Sequence, residues 1–423
     1  MAIRDFRRRI SGSHAARAGI CFAALVVVAE GAVLLLAPSE EGISPESVAA
    51  SEYFDAAALE RASDFRDGQR LLLVGGLAAQ ALVVGALAVG RPRATRDLLG
   101  RLSARTLLGT AAAGVVVVVA ADVASFPTSL AAHERSIDVG LSTQSLSAWL
   151  GDEAKALAIA ALVAGAGAAA LSGLIRRSPR RWWVPGTIVV VGYGAVMSLV
   201  APVVIAPLFN DFDELPTSSE IRAGVVELGE RSGVEVGEVY RVDASRQSTA
   251  LNAYVAGIGP TKRVVLYDTL IDGTTEPELR SVVAHELAHV AHSDIPRGIL
   301  FAALVTPLGL MLVREGTNAL ARRSGADPGS PAAVPALFLA IALVSFAVNV
   351  PANQLSRQVE ASADAFALRI TEDPDALVDL QTRLAERNLS DVSPPGWATA
   401  LFGTHPTTLE RIGSARAWER GVR

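Results

Sequence analysis

Val283-Ala-His-Glu-Leu-Ala-His-Val290 sets His285, Glu286 and His289 in the order H-E-x-x-H. On an α-helix, residues four apart share a face, so both imidazoles can hold one metal ion. The glutamate beside the first histidine can then take a proton from a water on that ion. The flanking residues specify a helix. Thr275-Glu-Pro-Glu278 reads as a capping box with proline in the first turn, and Leu279, Val282, Val283, Leu287 and Val290 form an apolar stripe. Two histidines do not complete a zinc site, which needs a third protein ligand and groups that orient the ligands. Asn353-Gln-Leu-Ser-Arg-Gln-Val-Glu-Ala-Ser-Ala-Asp-Ala-Phe-Ala-Leu368 offers both on a second helical pattern. Glu360 is the expected third ligand. Asp364, one turn further on, is the expected acceptor for the free ring nitrogen of His285. An amphipathic helix with two surface histidines could also read H-E-x-x-H, but only six histidines occur in the chain and the E-x-x-x-D follows in the right place.

The second of these helices, Asn353-x-x-Ser356-Arg357-x-x-Glu360-x-x-Ala363-Asp364-Ala365-Phe366-Ala367, resembles that of the type I CAAX prenyl proteases, integral-membrane zinc metallopeptidases. Further stretches match in the same order. They are Gly140-Leu-Ser-Thr-Gln-Ser145 with Trp149, Asp152 and Lys155; Ile205-Ala-Pro-Leu-Phe-Asn210; Val242-Asp-Ala-Ser-Arg246; Asn252-Ala-Tyr254; Arg263 to Leu270; and Thr404-His-Pro406 with Glu410-Arg411. The resemblance runs from Phe126 to Ile412, and the first hundred residues match only in having two hydrophobic segments. It implies a small α+β, gluzincin-like zinc peptidase domain with one Zn2+ per chain and a peptide or protein substrate associated with the membrane. For the type members that substrate is a prenylated C-terminal Cys-a-a-X tail. The resemblance also implies that His405 supplies a donor to the oxyanion, with Arg411 nearby, and that Asn252 lies at a substrate-binding edge. Asn252 can equally be a turn residue.

Composition agrees with a membrane protein. Half of the 423 residues are hydrophobic, and they cluster near Ala18–Ala37, Leu71–Val89, Leu107–Ser125, Ala156–Ile175, Trp183–Ile205, Ile299–Val313 and Ala333–Val350. Most of these runs approach the length needed to cross a bilayer, which predicts a mainly α protein with about seven transmembrane helices. The sixth run is short and is expected to continue directly from the metal helix. The expected organisation is a basic tail over 1–17, five transmembrane helices over 18–206, and a zinc peptidase domain over 207–297. Two more transmembrane helices follow over 298–350, then a helical C-terminal part over 351–423 that carries the third ligand. Cys21 is the lone cysteine, so neither an intrachain disulfide nor a cysteine zinc site can form. The net charge of −5 and the scatter of basic residues give no support for nucleic-acid binding. Lysine occurs only at 155 and 262, and with the abundant alanine and valine this points to a GC-rich bacterial genome, where prenylated substrates are less expected.

Within the peptidase domain, Ser218-Ser-Glu-Ile opens a helix to Arg231, Val234–Val242 and Arg263–Tyr267 alternate like strands, and Asn252–Ala256 reads as an edge strand. An extended peptide can pair with such an edge through its main chain, which makes Asn252, Ala253 and Tyr254 candidate substrate-binding residues. His292, three residues beyond His289, lies on the same helix face and is a surface residue or a rival ligand. A competing reading of the whole chain is a polytopic receptor or transporter with a structural zinc site, but such a site has no need of Glu286. Arginines crowd the N-terminal tail, the loop 91–105, the loop Arg176–Arg181 and the positions Arg314, Arg322 and Arg323. By the positive-inside rule this puts the N-terminus in the cytoplasm and residues 208–296 outside the cell membrane. The eukaryotic members of the resembled family face the cytosol instead.

Overall fold

The computed structural model describes residues 14–40, 42–90, 106–257 and 262–421. The arginine-rich loop 91–105 and most of the N-terminal tail lie outside these residues. Five long helices come first: α1 (His14–Leu36), α2 (Ala56–Gly85), α3 (Leu107–Asp138), α4 (Leu146–Arg177) and α5 (Trp183–Val200). A compact unit follows, with β1 (Phe212–Glu214), α6 (Glu220–Ser232), β2 (Glu238–Val242), β3 (Ala253–Ala256), β4 (Arg263–Tyr267), α7 (Asp268–Gly273) and α8 (Glu276–Ala291). Two more long helices, α9 (Asp294–Arg323) and α10 (Val334–Thr371), lead to α11 (Pro374–Arg387), α12 (Gly396–Phe402) and α13 (Thr408–Glu419).

Among the described residues, seven helices are long and apolar enough to cross a membrane, at the places the hydropathy predicts. Their ends differ from the apolar runs. The second helix begins at Ala56 rather than Leu71, and the sixth runs from Asp294 to Arg323 rather than over 299–313. Hydropathy registers only the part that meets lipid, whereas helix length follows from packing and capping. The 32 residues of α3 and of α4 span about 48 Å, so each projects well beyond a hydrocarbon core of about 30 Å. Small residues let these two lie close. A Cβ at Gly114 would meet the carbonyl oxygen of Ala164 at 2.6 Å.

The expected continuity of the metal helix with the sixth span is not found. Ser293 takes the left-handed conformation (φ 56°), so α8 stops at Ala291 and α9 restarts at Asp294. The seventh span, in contrast, runs straight on into the stretch with Glu360, both on α10.

The sheet has the order β1-β2-β4-β3, with β2 and β4 parallel and the outer pairs antiparallel. β3 is therefore an edge, as its sequence suggests. β1 is three residues long and carries no alternating pattern of its own. The sheet packs with α6, α8, α11 and α13 around Val239, Leu266, Leu287, Leu380 and Ile412. The stretch before α2 also belongs to this core. Phe54 is buried in it, and residues 43–46 run against α13, where a Cβ at Gly413 would meet the carbonyl of Glu46 at 2.2 Å.

Candidate metal centre

Two helices make the site, and alanine lets them meet. Ala284 and Ala288 of α8 and Ala363 and Ala367 of α10 have no exposed surface at all. Side chains this small allow close helix approach, so the residues beside them, His285, His289, Glu360 and Asp364, project into one space. Ligand atoms of His285, His289 and Glu360 lie within 4.8 Å of one another, the one such cluster among the described residues. His285 Nε2 is 3.1 Å from one carboxylate oxygen of Glu360, and His289 Nε2 is 3.7 Å from the other. The two rings stand nearly perpendicular, with centroids 5.0 Å apart.

Behind each imidazole stands a carboxylate. His285 Nδ1 is 2.9 Å from Asp364, which accepts two hydrogen bonds from Arg411, at 2.8 Å from Nε and 2.5 Å from Nη2. Burial disfavours a charged His285, yet the bonds to Asp364 and Glu360 prevail and hold its pKa up at about 10. The pocket thus concentrates negative charge where a cation would sit. His289 Nδ1 is 2.8 Å from Asp294, itself paired with Arg297. The sequence reading missed Asp294. Five residues on in a straight helix, it would point away from His289, and the left-handed Ser293 is what turns it back. A signal existed: Ser293-Asp294 ahead of Pro296 is a helix-start pattern, hence a break after the metal helix.

Glu286 lies on α8 beside β3 and accepts a hydrogen bond from the Val255 N–H. Burial pushes its carboxyl above the ordinary range, against the pull of both histidines. Asn252, Ala253 and Tyr254 are at the start of this edge strand. His405 reaches the site from the turn before α13, with Nε2 3.4 Å from Glu360 and Nδ1 2.9 Å from the Thr404 hydroxyl. Its approach is fixed by α10, whose Asn349, Asn353 and Arg357 donate to carbonyls of Thr399, Leu401 and Gly403. This accounts for Asn353 and Arg357 in the sequence pattern, since the end of a helix leaves its last carbonyls without partners. His292 turns away from the cluster, with Nε2 3.4 Å from Glu40.

Comparison with known proteins adds independent findings. A family model described as peptidase family M48 matches residues 217–419, and one described as CAAX prenyl protease N-terminal, five membrane helices, matches residues 40–211. YhfN of Bacillus subtilis (strain 168), an uncharacterized metalloprotease, is 31% identical over 300 residues, 70% of this chain and 70% of its own. The probable CAAX prenyl protease 1 of Schizosaccharomyces pombe is 31% identical over 226 residues, 52% of this chain and 47% of that protein. The chain thus spans about half the length of that relative. CAAX prenyl protease 1 of Saccharomyces cerevisiae is 27% identical, covering 64% of each chain. The crystal structure of S. mikatae Ste24p superposes with a TM-score of 0.71 over 95% of this chain and 97% of the other; at 20% identity the likeness is one of fold.

Proposed function

The chain belongs to peptidase family M48 and is a membrane metalloprotease, and from that premise we propose that its metal is one Zn2+ ion held by His285, His289 and Glu360, with Glu286 as general base. The observation that carries this reading is the convergence of two imidazoles and one carboxylate from two helices. Their separations of 3.1 and 3.7 Å bracket the edge of a tetrahedron with bonds of about 2.0 Å, which is about 3.3 Å. Three protein ligands would leave a fourth position open to exchange, as in catalytic sites. Bound zinc lowers the pKa of a coordinated water and polarises a carbonyl. Glu286, its carboxyl raised above the ordinary range by burial, takes the proton of the attacking water and passes it to the leaving amine. His405 donates to the oxyanion, and Arg411 holds the Asp364 carboxylate that orients His285. β3 offers its edge to an extended substrate through the main chain of Ala253, between Asn252 and Tyr254.

Glu360 lies ten residues, or about 15 Å of helix, beyond the end of the last apolar run at Val350. The proposed substrate is accordingly a peptide segment at the membrane surface, CAAX-like or part of another membrane-associated protein. Purified protein is expected to hold one zinc per chain, and to cleave peptides in a manner abolished by chelation and restored by Zn2+. Cleavage that survives complete metal removal would refute the reading.

The orienting carboxylates give a graded expectation. Asp364→Ala and Asp294→Ala each lower zinc affinity or turnover by about 10–100-fold, the usual effect of removing a partner of a ligating histidine. Competition with a chromogenic chelator measures this, and unchanged affinity and rate in either variant removes that residue from the site.

The metal centre is proposed to open on the extracytoplasmic side. Arg176, at the end of α4, donates to the carbonyl of Gly329 in the turn after α9, at 2.9 Å. Arg314 of α9 donates to that of Arg180 in the turn after α4, also at 2.9 Å, so the arginine-bearing ends of α4 and α9 lie together. Such turns favour the cytoplasm. Alkaline phosphatase fused after Arg423 is expected to be active, and a fluorescent protein there dark. The reverse pair of results would place the site in the cytoplasm.

A further inference from the structure

The free edge of β3 ends abruptly. Asn252 and Tyr254 direct their main-chain groups inward to β4, as the bond from Tyr267 N–H to Asn252 C=O at 3.2 Å shows, so Leu251, Ala253 and Val255 direct theirs outward. All three outward N–H groups are held by side chains. Ala253 donates to its neighbour Asn252 at 3.0 Å, and Val255 donates to Glu286. Each of these is a single acceptor that a peptide carbonyl can replace. Leu251 is different. The Asn388 carboxamide accepts from its N–H at 2.9 Å and donates to its carbonyl at 3.1 Å, filling both positions a paired strand would use.

Asn388 is also anchored. Arg66, from α2, donates to the carbonyls of Asn388 and Leu389 at 2.5 and 2.6 Å, and Leu389 takes a left-handed φ of 48° to present them. Beside this clamp lies a cavity of about 460 Å³, bordered by Gln247, Ala250, Leu251, Asn252, Tyr267 and Asn388.

Resting on the peptidase reading above, we infer that Asn388 terminates the substrate-binding edge at Leu251 and so sets specificity. A bound peptide pairs with Ala253 and Val255, then leaves the sheet into this cavity. Main-chain recognition on that side of the scissile bond is therefore short, and a peptide able to bend away is favoured over one held extended.

The test uses the full-length protein in detergent and one cleavable peptide resynthesised with a single N-methylated amide at each position in turn. In the wild type, kcat/KM is expected to fall about tenfold at the amides facing Ala253 and Val255, and less than about twofold at the amide facing Leu251. In Asn388→Ala the last position becomes sensitive, by about fivefold or more. Asn388→Asp keeps the acceptor for the Leu251 N–H but frees the Leu251 carbonyl, and gives the same gain even if the alanine variant fails to fold. A purely structural role for Asn388 would alter yield or melting temperature without moving this pattern. Sensitivity opposite Leu251 in the wild type, or a wild-type pattern in both variants, overturns the inference. Cleavage of no peptide, or cleavage unaffected by Glu286→Gln, overturns the peptidase assignment of this site and the inference with it.

Discussion

Glu286→Gln is expected to keep its zinc and to lose hydrolysis by at least about a hundredfold, the range for loss of a general base. The substitution is nearly isosteric, and Glu286 is not among the three groups whose ligand atoms converge. Both histidines and their supporting carboxylates are left in place, so metal content should not change. An amide cannot accept the proton, whatever the substrate. The Val255 N–H retains an acceptor in the glutamine carbonyl, so the edge strand stays positioned. Metal analysis beside peptide cleavage decides the matter, and near wild-type turnover would remove Glu286 from the mechanism.

Glu360→Ala should fail differently, losing both metal and activity. It removes one of the three proposed protein ligands. It also leaves His285 and His289 facing a gap where the carboxylate had balanced them, at 3.1 and 3.7 Å. The fall in zinc affinity should exceed that from either supporting aspartate, beyond about a hundredfold, since those act on the metal only through a histidine. Zinc held stoichiometrically and as tightly as in the wild type would show that Glu360 has been misassigned. A normal melting profile in the presence of excess zinc would separate ligand loss from misfolding.

The residues that converge on the centre were legible because each pair is local. His285 with His289, and Glu360 with Asp364, are separated by one helical turn, and that spacing is fixed by the helix rather than by the rest of the fold. β4 and the edge strand were legible from their alternation and from the match at Asn252. The seven membrane helices were legible as hydropathy, but their ends were not, since those answer to partners that sequence does not display. Asp294 escaped because its role depends on one left-handed residue. Asn388 escaped because its partner, Leu251, is 137 residues away and the bonds run to main chain, which leaves no trace in side-chain pattern. β1 escaped because three residues cannot establish a period.

The stretch ahead of α2 gives the fold a late step. Ser414 donates to the carbonyl of Ile43 across 371 residues, and Phe54 shares a core with Val392 and Ile412. The two sides of this contact meet only when the elements between them have found their places. Arg411, which secures Asp364 behind His285, belongs to that last helix. Closing a loop this long is entropically costly and slow, so the support that Arg411 gives Asp364 is expected to form late in folding. A copy still folding would therefore bring His285, His289 and Glu360 together before the support that orients His285 is in place.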